Sequence, residues 1–372
     1  LISHERRDYC VRQERWRGAL CRHLLSSGSS AYWKTPANWY VDELVPSPLS
    51  SNRDNPPSYT RQTALLIHGG GHIMLSRRDI RSKQVRMLLN AGFLPVSVDY
   101  RLCPEVSLTE GPMHDVCDAL CWARHVLPSL TLGRPDIQPD GTQAVAVGWS
   151  TGAHLAMTLA WTSQQRGIAP PNAILAFYGP TDYEDSFWSQ PNFPYGKNAA
   201  SPEMRYDLWE GIYETPITAY NPPVDQKALG GWMSPADPRS RIALHMNWKG
   251  QSLPMLLHGG RFWSDHKDGD CGEELPVPTL EEIQAVSPLA QIRNGHYKTP
   301  TFIIHGTLDD LIPVEQAQRT SQELVTKGVE VQLRVVDKAV HLFDIYPGFE
   351  KDQAASRAVE DGYEFLRDHV RY

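Results

Sequence analysis

QAVAVGWSTGAHLAMTLAWTSQQ, residues 143–165, decides how this chain folds. Its first third is a short apolar run of the kind that fills a strand buried on both faces, and its last part carries apolar residues at helical spacing. Between them stands Gly148-Trp149-Ser150-Thr151-Gly152, which fits G-x-S-x-G. A serine on a tight turn between strand and helix is held clear of the sheet edge, and glycines on either side let strand and helix approach each other. That context separates a nucleophile elbow from an ordinary Gly/Ser turn, and it makes Ser150 the candidate nucleophile.

Outward from this stretch, short apolar runs alternate with longer helical ones. Upstream lie TALLIHGGG (63–71), a helix near 79–91, FLPVSVDYR (93–101) and a helix near 112–128. Downstream come AILAFYG (173–179), TFIIHG (301–306), an edge strand VEVQLRVVD (329–337) and a helix from about residue 353 to 367. Buried strands separated by helices predict an α/β protein with a mostly parallel sheet and helices on both faces. Between Gly179 and Thr301 the rhythm breaks for about 120 residues, too long for a loop. That segment is rich in aromatic residues, among them Trp188, Tyr206, Trp232 and Trp248, and reads as a cap. The expected division is a core of residues 63–180 and 297–372, a cap or lid over 181–296, and an N-terminal part, 1–62. The last is expected to hold a helix over 4–26, a strand over 39–45 and a loop over 46–60.

Bulk composition narrows the function classes. Of 372 residues, 41% are hydrophobic and 21% charged, the balance of a soluble enzyme-sized protein. A net charge of -7 offers no basic footprint for nucleic acid. No run reaches the roughly 20 apolar residues that cross a bilayer, and LISHERRDYC at the start is polar where a signal peptide is apolar. The expectation is a cytoplasmic protein with no membrane contact. Its six cysteines are read as reduced thiols. Cys117 and Cys121 sit four apart without further ligands at metal-site spacing, so no metal is expected. The acidic run from Asp265 to Glu274 lacks the order of a calcium loop and reads as a solvated cap loop. Because the chain opens on Leu1, it is expected to be a piece of a longer polypeptide.

A serine nucleophile needs three kinds of help. His68-Gly69-Gly70-Gly71 follows the strand ALLI, where backbone N–H groups of Gly70 and Gly71 can join that of Thr151 in an oxyanion hole. A Gly-rich loop could instead cradle phosphate, but neither phosphate-loop pattern is present. In the order serine, acid, histidine, the base is assigned to His341, after the last strand and before the final helix. His68, His72 and His305 are assigned to shaping turns. The acid falls on the turn after TFIIHG, where Asp309 and Asp310 are adjacent and point apart. Asp309 is assigned the role and Asp310 left as a solvated neighbour or helix cap.

Through HGGG at 68–71, VDYRLCPE at 98–105, GWSTG at 148–152 and HGTLD at 305–309, the chain resembles the hormone-sensitive-lipase-like branch of α/β-hydrolases. Trp149, Thr151 and Cys103 depart from that branch's usual G-D-S-A-G and Y-R-L-A-P-E. A closer resemblance, carried by HGGGHIMLSRRDIR (68–81), VSVDYRLCPEVSL (96–108), GWSTGAHLAMTLAW (148–161) and ILAFYGPTDYEDSFW (174–188), is to the C-terminal releasing domains of fungal non-reducing polyketide synthases. That resemblance implies a thioesterase whose substrate is an aromatic, methylated polyketide held on an acyl carrier protein. It implies the carrier protein and the other synthase domains as partners. It implies no cofactor of the enzyme's own, the phosphopantetheine arm arriving with the substrate. The rival readings are a free-standing carboxylesterase acting on small acyl esters and a catalytically dead scaffold; the second usually lacks a triad residue, and none is missing here.

Overall fold

The computed structural model describes residues 59–132, 136–192, 211, 216–223, 234, 236–266, 275–345 and 348–370. The N-terminal helix, strand and most of the loop expected before residue 59, the acidic run from 267 to 274, and Cys10, Cys21 and Cys271 lie outside them.

Among the described residues six strands form one sheet: β1 (Tyr59–Ile67), β2 (Leu94–Val98), β3 (Ile137–Trp149), β4 (Ile174–Phe177), β5 (Thr301–Gly306) and β6 (Val331–Val336). They stand in the order β2-β1-β3-β4-β5-β6, and every neighbouring pair is parallel. Their residues alternate between two cores. Ala64 and Leu66 of β1, Val145 and Val147 of β3, and Phe302 and Ile304 of β5 face one layer. Leu65 and Ile67, Ala144 and Ala146, and Ile303 face the other. Because both faces are covered, the strands read as continuous apolar runs rather than as alternation with polar residues.

The first layer is built by helices α1 (Ser82–Asn90) and α9 (Gln353–Asp368), the second by α2 (Pro112–His125), α3 (Thr151–Gln165) and α8 (Val314–Thr326). Helix α3 is buried almost all round, which its run of Ala, Leu and Met permits. Two boundaries differ from the sequence reading for local reasons. The helix expected near 79 starts at Ser82, because Ser76 and Asp79 close a separate 3-10 turn with a reciprocal capping box. Helix α2 stops at His125, ahead of a 3-10 turn containing Pro128.

The long segment between β4 and β5 supplies α4 (Pro238–Trp248), α5 (Ser252–His266), α6 (Leu280–Val286) and α7 (Pro288–Arg293). α7 packs on α3 and α8. α4 is fastened to the loop after β2 by Arg239, fully buried, which pairs with Glu105 and donates to the carbonyls of Cys103 (2.5 Å) and Ile73 (3.2 Å). A charge buried this deeply is compensated by its pairing with Glu105 and by the two carbonyls, while its Nε has no acceptor among the described residues. Backbone bonds from Leu102 to Ile217 and from Leu108 to Leu256 tie further parts of the segment to the same loop. No helix among the described residues is long and apolar enough to cross a membrane.

Candidate active site

The turn from β3 into α3 is as tight as the sequence requires. Ser150 sits at φ 55° and ψ -127°, a strained conformation for a residue with a side chain, and its N–H donates to Phe177 O at 2.9 Å. A Cβ on Gly148 would lie 2.0 Å from Gly152 O, and one on Gly152 would lie 2.1 Å from Ile67 O. Only glycine fits either place, so the crossing of strand and helix is what exposes Ser150 at the carboxyl edge of the sheet.

His341 reaches Ser150 from the loop after β6. Its Nε2 lies 3.0 Å from Ser150 Oγ, placed to accept the hydroxyl proton, and its Nδ1–H donates to Asp309 Oδ2 at 2.8 Å. Asp309 is saturated with donors: the N–H groups of Leu311 (3.0 Å) and Ile312 (2.9 Å) converge on Oδ1, and His305 Nε2 lies 3.1 Å from Oδ2. Burial pushes the Asp309 carboxyl up, but the His341 charge and the imidazole hydrogen bonds outweigh it and hold the group well below the usual carboxylate range. Asp310 is exposed. The structure thus brings together the three residues that the sequence places in these roles.

The Gly-rich loop lies beside the serine. Gly70 and Gly71 adopt φ of 100° and 66°, and a Cβ on Gly70 would meet Met74 O at 2.2 Å. Two anchors hold the loop: Tyr100 Oη, 3.0 Å from the carbonyls of both His68 and Gly69, and the His72 N–H, which donates to Thr151 Oγ1 at 3.3 Å. Thr151 is the first residue of α3, so its own N–H has no intrahelical acceptor. His68 stacks on the Tyr100 ring with centroids 4.2 Å apart; burial lowers its pKa and keeps the ring neutral. Burial likewise brings His154, behind the loop, down to about 4.

Sequence reasoning assigned His305 to shaping a turn; in the structure it also contacts Asp309, its Nε2 lying between Asp309 Oδ2 and Ile312 O (2.9 Å). A second group is missed altogether. Tyr178 turns its ring edge to His341, centroids 4.8 Å apart, and donates its hydroxyl to Asp344 at 2.5 Å; Gln84 donates to the other Asp344 oxygen and accepts from Tyr363. Burial raises the Asp344 pKa, and the Tyr178 hydrogen bond offsets this only in part. This buried chain braces the loop that carries His341. The positive φ of Tyr178, 37°, is its trace in the backbone, not in the sequence.

Ser150, His341, Gly70, Gly71 and Thr151 open into one cavity of about 460 Å³, within the range that holds a small organic ligand. Its walls are mostly apolar, Met74, Trp188, Met246 and Leu256 among them. Among the described residues one metal-like group, His114, Asp115 and Asp118, lies outside the cavity lining, and its two carboxylates are already paired with Arg101 and Arg166. Cys103 and Cys117 are buried free thiols.

Residues 64–233 match the family described as alpha/beta hydrolase fold, and residues 268–371 match the prolyl oligopeptidase family. Non-reducing polyketide synthase adrD of Penicillium roqueforti is 99% identical over 312 residues, 84% of this chain. Non-reducing polyketide synthase mapC of Penicillium brevicompactum is 60% identical over 311 residues. The chain spans 12% of the length of the first relative and 13% of the second. Among solved structures, an alpha/beta hydrolase superfamily protein from Enterococcus faecalis superposes with a TM-score of 0.52 at 18% identity, covering 84% of this chain and 93% of that one. Carboxyl esterase 2 from Tuber melanosporum does so with a TM-score of 0.50 at 15% identity, covering 86% and 80%. By its sheet, its elbow and these comparisons, the chain has the α/β-hydrolase fold and is similar over most of its length to a segment of fungal non-reducing polyketide synthases.

Proposed function

We propose that the chain is a serine thioesterase that releases an aromatic polyketide from an acyl carrier protein. The observation that carries this reading is the continuous relay from Ser150 through His341 to Asp309, whose serine and histidine line an apolar cavity. Similarity to polyketide synthases supports the nature of the acyl group.

His341 Nε2 takes the proton as Ser150 Oγ attacks the thioester carbonyl. The N–H groups of Gly70, Gly71 and Thr151 receive the negative oxygen of the tetrahedral intermediate; one such donor is typically worth about 3 kcal/mol of barrier. Collapse breaks the C–S bond, His341 returns the proton to the leaving phosphopantetheine thiol, and an acyl-Ser150 remains. Water, deprotonated by His341, attacks that ester; the bond from the acyl carbon to Ser150 Oγ breaks, His341 returns the proton to Oγ, and the free acid leaves. The segment over residues 181–296 acts as the cap, and the carrier protein with its neighbouring synthase domains is the partner. The chemistry requires no resident cofactor.

The test is to load a carrier protein, or a pantetheine mimic, with an orsellinic-type aryl group and follow acyl-enzyme and free acid by intact mass. Wild type is expected to release acid, with Ser150→Ala forming neither adduct nor product. Brisk cleavage of nitrophenyl acetate with no action on the thioester would sink the reading in favour of a carboxylesterase for small acyl esters.

A further inference from the structure

Arg81, half-buried, stands on the wall of the cavity that holds Ser150 and His341. Its guanidinium makes no hydrogen bond or ion pair with any described residue, although its charge reaches the buried Tyr178 and Asp344. Asp79, the acidic residue on that wall, has one oxygen occupied by the N–H and O–H of Ser76, at 2.8 and 3.0 Å, and does not pair with Arg81. The neighbouring wall residues Ile80, Leu342 and Ile345 are apolar. A guanidinium held against apolar walls loses hydration and recovers none of it without a partner. Its forked donors match a carboxylate or phosphate better than a neutral carbonyl.

We propose that Arg81 determines specificity by binding an oxyanion carried by the substrate, so that the cavity selects acyl thioesters bearing an acidic oxygen over neutral ones. This rests on the thioesterase reading. Two parts of such a substrate can present the oxyanion to Arg81: an acidic group on the acyl portion, or the phosphate of the pantetheine arm.

Four thioesters separate these sources: benzoyl and meta-carboxybenzoyl groups, each on phosphate-free N-acetylcysteamine and on phosphopantetheine. The full chain, Arg81→Gln and Arg81→Lys are compared by steady-state kinetics. Arg81→Gln is expected to lower the preference for the anionic member of a pair about tenfold in kcat/KM, the order expected for losing a hydrogen bond between charged groups. The loss should appear in KM, with Arg81→Lys recovering part of it. A fall within the acyl pair assigns the oxyanion to the acyl group; a fall within the arm pair assigns it to the phosphate. Unmoved preferences overturn the proposal, and an equal fall in kcat/KM on all four leaves Arg81 only as support for Asp344. If wild type cleaves none of the four, the thioesterase reading fails. Calorimetric titration with isophthalate and with phosphopantetheine then judges Arg81 by itself: weaker binding to Arg81→Gln upholds the oxyanion site, and equal binding removes it.

Discussion

Asp309 has no acceptor position to spare, with two backbone N–H groups on one oxygen and two imidazoles around the other. Asp309→Asn keeps the shape but sets an NH2 group where an N–H must be accepted, so the His341 ring settles in the wrong tautomer. Steady-state kinetics on any ester that wild type turns over should show kcat lowered by roughly 10^4. The choice of Asp309 over Asp310 was legible because adjacent residues on a turn diverge, and only the first follows the strand closely enough to face the site. His305 was not legible in its second role, because a histidine at a strand end has the same local signature whether or not a carboxylate folds back onto it. Arg81, Tyr178 and Asp344 were hidden for a related reason: Gln84 and Asp344 meet across 260 positions of chain, and no local pattern records such a meeting.

Strand, turn and helix around Ser150 form an element whose geometry hangs on two glycines. Gly152→Ala drives a methyl group to within 2.1 Å of Ile67 O and 2.5 Å of His68 O, so β1, the Gly-rich loop and α3 must separate. The variant is expected to lose about 1 to 3 kcal/mol or more, read as a lower urea midpoint, and to lose activity beyond what that destabilisation explains, since the oxyanion loop moves with β1. The sheet was legible element by element because strands covered on both faces leave uninterrupted apolar runs, as in Val145-Ala146-Val147 and Phe302-Ile303-Ile304. The segment between β4 and β5 was legible only as an interruption. Its fastening to the core runs through Arg239 and Glu105, whose pairing across 134 positions has no periodic signal.

Two buried carboxyls give the whole molecule opposing responses to pH. Asp309 is held below its ordinary value, so its contribution to stability is complete above about pH 4 and is lost as pH falls toward the lowered pKa. Asp344 is raised by burial, so its contribution is complete below about pH 4 and is lost as pH rises through the raised value. Urea midpoints measured between about pH 3 and 7 should fall on the acid side in wild type and flatten there in Asp309→Asn. Asp344→Asn should steepen the net rise of stability with pH, by removing the opposing slope.

The hydrogen bond from Ser150 to His341 spans 191 positions and joins residues brought forward by β3 and β6, with β4 and β5 lying between those strands. A chain that has collapsed, or has formed only its first three strands, already owns the elbow but lacks the imidazole that would activate it. Under the proposed chemistry, capture of a serine-directed phosphonate during refolding therefore acts as a clock for completion of the sheet. The delay between the return of helical signal and the onset of labelling measures how long the distant edge takes to arrive, a slow step wherever parallel strands must close large loops.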